Sequence, residues 1–342
     1  MKKLNILALM HEDLVPPDTM DGYKDKEIVN WKTEFDVITT LREMGHTVFP
    51  IGVYDDLEVI RKAILDVKPD IVFNMLEEIH ENSLYDYHIV SYLELLKLPY
   101  TGCNPRGLML AHDKAISKKL FTYHGINTPD SFVIPLGNKL IIPKSLRYPL
   151  IAKSLVEDGS YGLSQASVVY SEDKLRERVF YLREKLGTPV LVEEYIEGRE
   201  IYITVMGNSR IQVFPILELV FGNMPDDAHK IATSKVKWDW EYAKQHKIDN
   251  KILKNLPPKL EAKLKDMSKR IYRSLGISGY ARIDIRLTKD GRMFALEANA
   301  NPDIAYGGEV ANSVEAAGVD YEQFLAKIIN LGLKYQPELA RI

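Results

Sequence analysis

The chain has 342 residues, of which 46% are hydrophobic and 27% charged, and its formal net charge is −3. This length is too great for one small core and predicts two or three domains, and the composition is that of an ordinary globular protein. The slightly acidic balance excludes a broad basic surface for nucleic acid. No long apolar run or signal peptide opens the chain, so we expect a cytoplasmic protein. As the only cysteine, Cys103 cannot form an internal disulfide, and we expect it to pack rather than to react.

Strands and helices alternate through the first hundred residues. Apolar runs of strand length lie at 3–10, 46–51 and 70–74, and amphipathic stretches of helical period lie at 31–45, 56–67 and 86–97. This alternation predicts an α/β domain whose parallel sheet holds ligands at the carboxyl ends of its strands.

The loops after residues 10 and 74 are therefore candidates for a substrate crevice. Both are acidic, with Glu12, Asp13, Asp18 and Asp21 in the first and Glu77, Glu78 and Glu81 in the second. The alternative interpretation is that these are ordinary solvated charges on surface loops.

A lysine at a strand end stands beside a small-residue loop in the middle of the chain. A helix is predicted at 106–124, the strand at 148–153 ends on Lys153, and residues 157–164 contain glycines and serines. Backbone N–H groups in such a loop can approach phosphates closely, while the ammonium balances their charge. The pattern indicates a nucleotide site, and a plain hairpin connection is the alternative.

The next segments supply further strands and one long irregular stretch. We predict helices at 172–186, 260–275 and 321–333, and strands at 188–196 and within 201–220. Residues 221–255 are polar and lack periodicity, which is typical of a functional or disordered loop. This stretch contains several lysines, among them Lys237.

Residues 279–301 read as a β-hairpin with a polar face. Side chains two apart in a strand point to the same side, so Arg282, Asp284 and Arg286 share one face of the first strand. The turn at 288–291 ends in Asp-Gly, which readily adopts the positive φ angles of tight hairpins.

On the return strand, Glu297 and Asn299 share a face, so the hairpin can bring them to Asp284. Carboxylate and amide oxygens are hard ligands that suit Mg²⁺. An amphipathic hairpin with solvated charges is the alternative, because the separate patterns are short.

Arg282-x-Asp284 followed by Leu296-Glu-Ala-Asn299-x-x-Pro302 resembles the metal hairpin of the ATP-grasp carboxylate–amine ligases, most closely that of the D-alanine–D-alanine ligase group. Asp113-Lys114 likewise resembles the DK helix of that family. The resemblance implies an α/β fold, α+β in the nucleotide-binding part, with three domains. These are an N-terminal parallel-sheet domain at 1–104, a central lid domain at 105–196 and a C-terminal domain with the metal site at 197–342.

The resemblance also implies roles for individual residues. ATP would be bound by Lys114 and Lys153 at its phosphates, by Glu193, Glu194 and Ile196 at adenine, and by Glu200 at ribose. The catalytic residues would be Ser160 in the lid, Lys237 at the γ-phosphate and Arg282 at the oxyanion. The metal ligands would be Asp284, Glu297 and Asn299.

The implied activity is that of an ATP-dependent ligase acting on small amino-acid-like substrates. A carboxylate would take the γ-phosphate to give an acylphosphate, and an amine would then form the amide or peptide bond. The implied cofactors are ATP and two Mg²⁺ ions, with Mn²⁺ as an alternative metal. No nucleic acid or membrane partner is expected, and a homodimer is the default assembly.

Several segments depart from the family pattern. The GG-x-S-x-E and HG-x-x-GEDG segments for the first substrate are replaced by residues 11–18 and 76–81, and Asp158 alters the lid loop. Asp303 and Glu309 stand where the family holds a substrate carboxylate, so either the second substrate is basic there or these acids point away. A genuine D-alanine–D-alanine ligase and a non-catalytic nucleotide-binding protein remain as alternatives. An ATP-grasp kinase and a ligase of small peptides also stay open.

Overall fold

The computed structural model describes residues 2–137, 140–143, 146–157, 159–225 and 227–337. Within these ranges, three β-sheets follow one another along the chain. Every described helix lacks the length or the hydropathy needed to cross a bilayer.

The first sheet is parallel, as predicted. Its strands are β1 (Asn5–His11), β2 (Thr47–Val53) and β3 (Ile71–Asn74), in the order β2-β1-β3. The helices that connect and flank them are α1 (Asp25–Glu43), α2 (Leu57–Val67) and α3 (Asp86–Leu95). Residues 6–10 of the central strand are fully buried, because helices cover both faces of a parallel sheet.

The second sheet is antiparallel, with the order β4-β7-β5-β6. The segment comprises α4 (Pro105–His112), α5 (Lys114–Tyr123), β4 (Ser131–Ile134), β5 (Leu150–Ser154), β6 (Val168–Val169), α6 (Glu172–Leu186) and β7 (Val190–Glu194). The apolar stripe of α6, formed by Leu175, Val179 and Leu182, packs on Ala152 and Val192 of the sheet.

The third sheet carries the predicted hairpin at one edge. Its order is β11-β10-β8-β12-β13, with β9 paired to β8. The segment comprises β8 (Arg199–Met206), β9 (Gln212–Val213), β10 (Leu217–Phe221), α7 (Ser234–Trp238), α8 (Trp240–Gln245), β11 (Ile248–Ile252), α9 (Pro258–Ser274), β12 (Tyr280–Leu287), β13 (Met293–Ala300), α10 (Glu309–Glu315) and α11 (Tyr321–Lys334).

Two sequence predictions about local structure are wrong. The single helix expected at 106–124 is broken at Asp113, whose extended backbone and side chain cap the N-terminus of α5. The irregular loop expected at 221–255 contains α7, α8 and β11. Thr233 and Asp239 cap the two short helices, and β11 pairs with β10, so capping and strand pairing replace the missing periodicity.

The C-terminal helix returns to the first sheet. Phe324 and Ile328 of α11 belong to the same apolar cluster as Ile6 and Met10 of β1. The last segment of the chain therefore joins the first and third sheets by burial of apolar surface. The domain bounds at 104 and 196 stay a prediction.

A buried carboxyl on α1 makes stability depend on pH. Glu34 is 5% exposed, and burial raises its pKa from 4.5 to about 7, with smaller contributions from the charges of Asp303 and Asp36. Between these values the folded chain binds more protons than the unfolded chain, so Glu34 makes the fold less stable as pH rises from about 4.5 to 7.

We expect Glu34→Gln to stabilise the protein at pH 8 by about 2 to 3 kcal/mol and to have a much smaller effect near pH 5. Urea unfolding at both pH values measures this difference. Glu43→Gln, at an exposed position on the same helix, is the control and should change neither value. An equal effect of Glu34→Gln at the two pH values would contradict the argument.

Candidate active site

A cleft opens between the second and third sheets, and it gathers most of the residues singled out in the sequence. Its lining includes Lys114, Lys153, Ser160, Glu193, Glu194, Ile196, Glu200, Lys237, Asp284 and Glu297. Arg282 and Asn299 reach the same place through direct hydrogen bonds to Asp284. Segments from residues 114 to 299 thus converge on one site.

The hairpin register sets the floor of the cleft. Asp284 of β12 lies opposite Glu297 of β13, and Arg282 lies opposite Asn299. The Asn299 side-chain amide donates to Asp284 Oδ2 over 3.2 Å. The register shifts just after Asp284, so that Ile285 pairs with Ala295 and Leu296 is the extra residue of a β-bulge. The expected meeting of Asp284, Glu297 and Asn299 is therefore seen.

Arg282 is held between two acids. Its Nε and Nη2 donate to the two oxygens of Asp284 over 2.8 and 3.0 Å, and its Nη1 donates to Glu309 Oε2 over 2.9 Å. Its guanidinium also lies 4.9 Å from the ring centre of Tyr202. Glu309 accepts a further hydrogen bond from Asn250 over 2.9 Å. Within the part of the chain that the structure describes, these hydrogen bonds use three of the five N–H groups of Arg282, and the other two could serve a ligand.

The two acids that the sequence placed near the second substrate both have partners within the chain. Glu309 binds Arg282, and Asp303 accepts a hydrogen bond from Thr33 Oγ1 over 2.7 Å. Burial raises the pKa of Glu309, but the charges of Arg282 and Lys237 outweigh it and lower the pKa. Arg282 therefore offsets the charge of Glu309, whereas the side-chain partner of Asp303 is a neutral hydroxyl.

Lysines from two elements face the hairpin. Lys153 Nζ lies 2.7 Å from Glu193 Oε1 and 3.8 Å from Glu297 Oε2. Lys114 Nζ donates to the Glu157 carbonyl over 2.8 Å and lies 4.0 Å from Glu297 Oε2. These ammonium groups offset the carboxylate charge at the floor of the cleft, and they stand where phosphates could be neutralised.

Glu193 and Glu200 are buried, and each is paired with residues that the sequence did not indicate. Lys118 Nζ lies 2.6 Å from Glu193 Oε2, so this carboxylate is held by two lysines. Glu200 accepts hydrogen bonds from Arg286 over 2.8 Å and from the Tyr202 hydroxyl over 2.9 Å. Lys118 could have been found from its spacing, because residues four apart on a helix share a face and Lys114 precedes it by four.

Hydrogen bonds join residues 159–163 to α7 above the cleft. Trp238 Nε1 donates to the Gly159 carbonyl over 2.7 Å, and the Ser234 backbone N–H donates to the Leu163 carbonyl over 3.0 Å. Ser160 adopts a left-handed backbone with φ of 62°, and its carbonyl accepts from the Ser234 hydroxyl. Asp158, noted in the sequence, lies outside the described residues. Residues 159–163 and α7 thus form one cover over the cleft, which we call the lid.

Lys237 extends from α7 of the lid toward the hairpin. Its Nζ lies 5.2 Å from the ring centre of Tyr202. Burial raises the pKa of Asp284 to about 6. Arg282 opposes this rise, Glu297 adds to it, and Lys237 lowers the pKa slightly. The structure therefore places Lys237 near the same carboxylates as Arg282.

A family model described as the C-terminus of D-ala D-ala ligase matches residues 121–330. The D-alanine–D-alanine ligase of Aquifex aeolicus is 29% identical over 312 residues, which cover 91% of this chain and 98% of that protein. The ligase of Bordetella petrii with the same name is 31% identical over 241 residues, which cover 70% and 69% of the two chains.

Solved structures show the same relationship. The D-alanine–D-alanine ligase of Bacillus anthracis complexed with ATP aligns with a TM-score of 0.73 and 25% identity, covering 96% of this chain and 97% of that one. The residues matched by the family model, 121–330, include the lid, Lys153 and the hairpin. The chain therefore belongs to the D-alanine–D-alanine ligase family of the ATP-grasp group and is an ATP-dependent carboxylate–amine ligase.

Proposed function

We propose that this ligase activates an amino-acid-like carboxylate as its acylphosphate and joins it to a small amine. The observation that carries the proposal is the pairing of Asp284 with Glu297 at the floor of a cleft that lysines also line. Phosphoryl transfer depends mainly on positioning and charge neutralisation, and this arrangement supplies both.

The nucleotide would lie along the cleft from the strand β7 to the hairpin. Lys114 and Lys153 would bind phosphates, because both ammonium groups already face an anionic carboxylate within about 4 Å. Glu193, Glu194 and Ile196 would contact adenine at the end of β7, and Glu200 would bind the ribose hydroxyls. These positions all line the cleft.

The residues at the hairpin fit Mg²⁺. Within the described ranges no three His, Cys, Asp or Glu side chains are grouped to hold a metal, so a cation would also need ligands from the substrate phosphates. Asp284 and Glu297 offer adjacent carboxylates and Asn299 an amide oxygen. Burial raises the pKa of Asp284 to about 6, so a bound cation would favour the ionised form of this carboxyl. Two Mg²⁺ ions bound here would neutralise phosphate charge.

The side chains of this protein would act on two successive reactions. In the first, a carboxylate oxygen of the substrate would bond to the γ-phosphorus while the bond between this phosphorus and the ADP oxygen breaks. Lys237 would offset the charge on the transferred phosphoryl group. In the second, the amine attacks the acyl carbon, and the remaining N–H groups of Arg282 stabilise the oxyanion. Phosphate then leaves, the amine proton is lost, and an amide remains.

Glu309 and Asp284 would orient Arg282 for this second reaction. Together they take three of its N–H groups and fix the plane of the guanidinium. The lid, with Ser160 facing the cleft, would exclude water that could hydrolyse the acylphosphate.

D-alanine is a specific candidate substrate because the named relatives are D-alanine–D-alanine ligases. The replaced segments at 11–18 and 76–81 distinguish this chain from the family pattern for the first substrate. Family membership sets aside the non-catalytic alternative. A homodimer and a cytoplasmic location stay predictions.

Screening D-alanine and a library of other amino acids and small amines for ADP formation, with mass spectrometry of the product, tests the proposal. We expect ADP release that depends on both a carboxylate and an amine. Glu297→Gln should lower it by at least about a hundredfold without unfolding the protein. Glu315→Gln, at an exposed position, is the matched control. Near-normal turnover of Glu297→Gln would contradict the assignment of the hairpin.

Lys153→Ala should weaken ATP binding by about tenfold or more, because it removes a charge-assisted contact to phosphate. Isothermal titration calorimetry measures the affinity, and Lys259→Ala on the exposed start of α9 should leave it unchanged. An unchanged affinity of Lys153→Ala would count against its placement at the phosphates.

Trp238→Phe should loosen the lid, because the indole N–H that binds the Gly159 carbonyl is lost. A hydrogen bond worth about 1 kcal/mol predicts roughly fivefold faster amide exchange in residues 159–163. Hydrogen–deuterium exchange measures this, with Trp240→Phe, at a position of similar exposure, as control. If both variants exchange at the wild-type rate, the contact does not hold the lid.

A further inference from the structure

The carboxylate of Glu193, at the end of the cleft where adenine is proposed to bind, is held by two lysines, of which Lys118 is buried and Lys153 is partly exposed. Glu193 is 2% exposed, with Lys118 at 2.6 Å from Oε2 and Lys153 at 2.7 Å from Oε1. A buried carboxylate with one lysine would already be paired, so the second lysine calls for a separate explanation.

The two lysines differ in position. Lys153 and Glu193 line the cleft, whereas Lys118 is 3% exposed and stands apart from the described lining residues. Lys118 also donates to Thr128 Oγ1 over 2.8 Å, and Thr128 in turn donates to the Ala295 carbonyl of β13 over 2.9 Å. Lys118 is therefore fixed behind the carboxylate, away from any ligand in the cleft.

The charges around Glu193 keep it ionised. Burial by itself raises the pKa of Glu193, but Lys118 and Lys153 outweigh this effect and hold the pKa at about 2. Glu297 lies beyond Lys153, at 3.8 Å from its ammonium group. When phosphates and Glu297 share Lys153, Lys118 is the counter-ion that stays with Glu193.

We propose that Lys118 is a positioning residue that makes the ligase select adenine over 6-oxopurines, by holding Glu193 as a buried hydrogen-bond acceptor. This inference rests on the proposed contact of Glu193 with adenine. The 6-amino group of adenine donates a hydrogen bond that a carboxylate accepts. The 6-oxo group of guanine is itself an acceptor, so an ionised Glu193 repels it.

The test compares three nucleotides by calorimetry: ATP, GTP, and purine riboside triphosphate, which lacks the 6-amino group. The wild-type protein should bind ATP most tightly. Lys118→Met should weaken ATP binding by about tenfold and change the affinity for purine riboside triphosphate by less than about twofold. Lys119→Met, at the exposed neighbouring position, is the control and should retain the full preference for ATP.

The outcomes separate this inference from the proposed function. If the wild-type protein shows no preference for ATP over purine riboside triphosphate, the adenine contact of Glu193 is wrong and the role of Lys118 fails with it. If wild-type prefers ATP and Lys118→Met weakens all three nucleotides equally, the adenine contact stands and the selective role of Lys118 is overturned.

A second pair of variants covers the case in which Lys118→Met does not fold. The double variant Glu193→Gln/Lys118→Met removes both partners of the buried pair and leaves Lys153 facing Glu297, so it is expected to fold. In Glu193→Gln alone, Lys118 keeps its hydrogen bond to Thr128, and burial lowers the pKa of Lys118, which favours its neutral form. Glu193→Gln should lower the preference for ATP, and adding Lys118→Met should lower it no further. A further loss of preference in the double variant would show that Lys118 acts independently of Glu193, against the proposal.

Discussion

The antiparallel pairing of β12 with β13 is the constraint on which the rest of the site depends. It sets Asp284 opposite Glu297 and Arg282 opposite Asn299. The negative charge of Glu297 acts on Asp284, and the surrounding structure supplies Arg282, Lys114 and Lys153 as cations. If a nucleotide bound with metal ions, its phosphates would pair with the lysines and the metal ions would pair with the carboxylates, in place of some of these ion pairs.

Burial strengthens the interactions between these charges. Charges in a low-dielectric cleft interact more strongly than at the surface, and an unpaired one costs several kcal/mol. Glu193, Glu200 and Arg282 are accordingly each held by two or more partners. The charged side chains of the cleft are therefore held in place by one another, and such preorganisation is what catalysis by electrostatics depends on.

Much of the site could be predicted because its signals are local. Alternation along β12 and β13 and a strand that ends on Lys153 each depend on a few neighbouring residues. Where no local signal exists, prediction failed. The strand β11 has no apolar alternation and forms because β10 offers it an edge. The break at Asp113 does have a local signal, a capping side chain, but this signal competes with a helical pattern that continues on both sides.

The sequence by itself determined the family, the antiparallel hairpin and the residue types that face the cleft, because strand geometry fixes which side chains share a side. Only the tertiary structure decided which charged side chains pair with each other. Lys118 meets Glu193, and Glu309 meets Arg282, across segments that are distant in the chain. Such pairs form when α5 packs against β4 of the second sheet and α10 against β8 of the third, and desolvation then makes each buried charge require a partner.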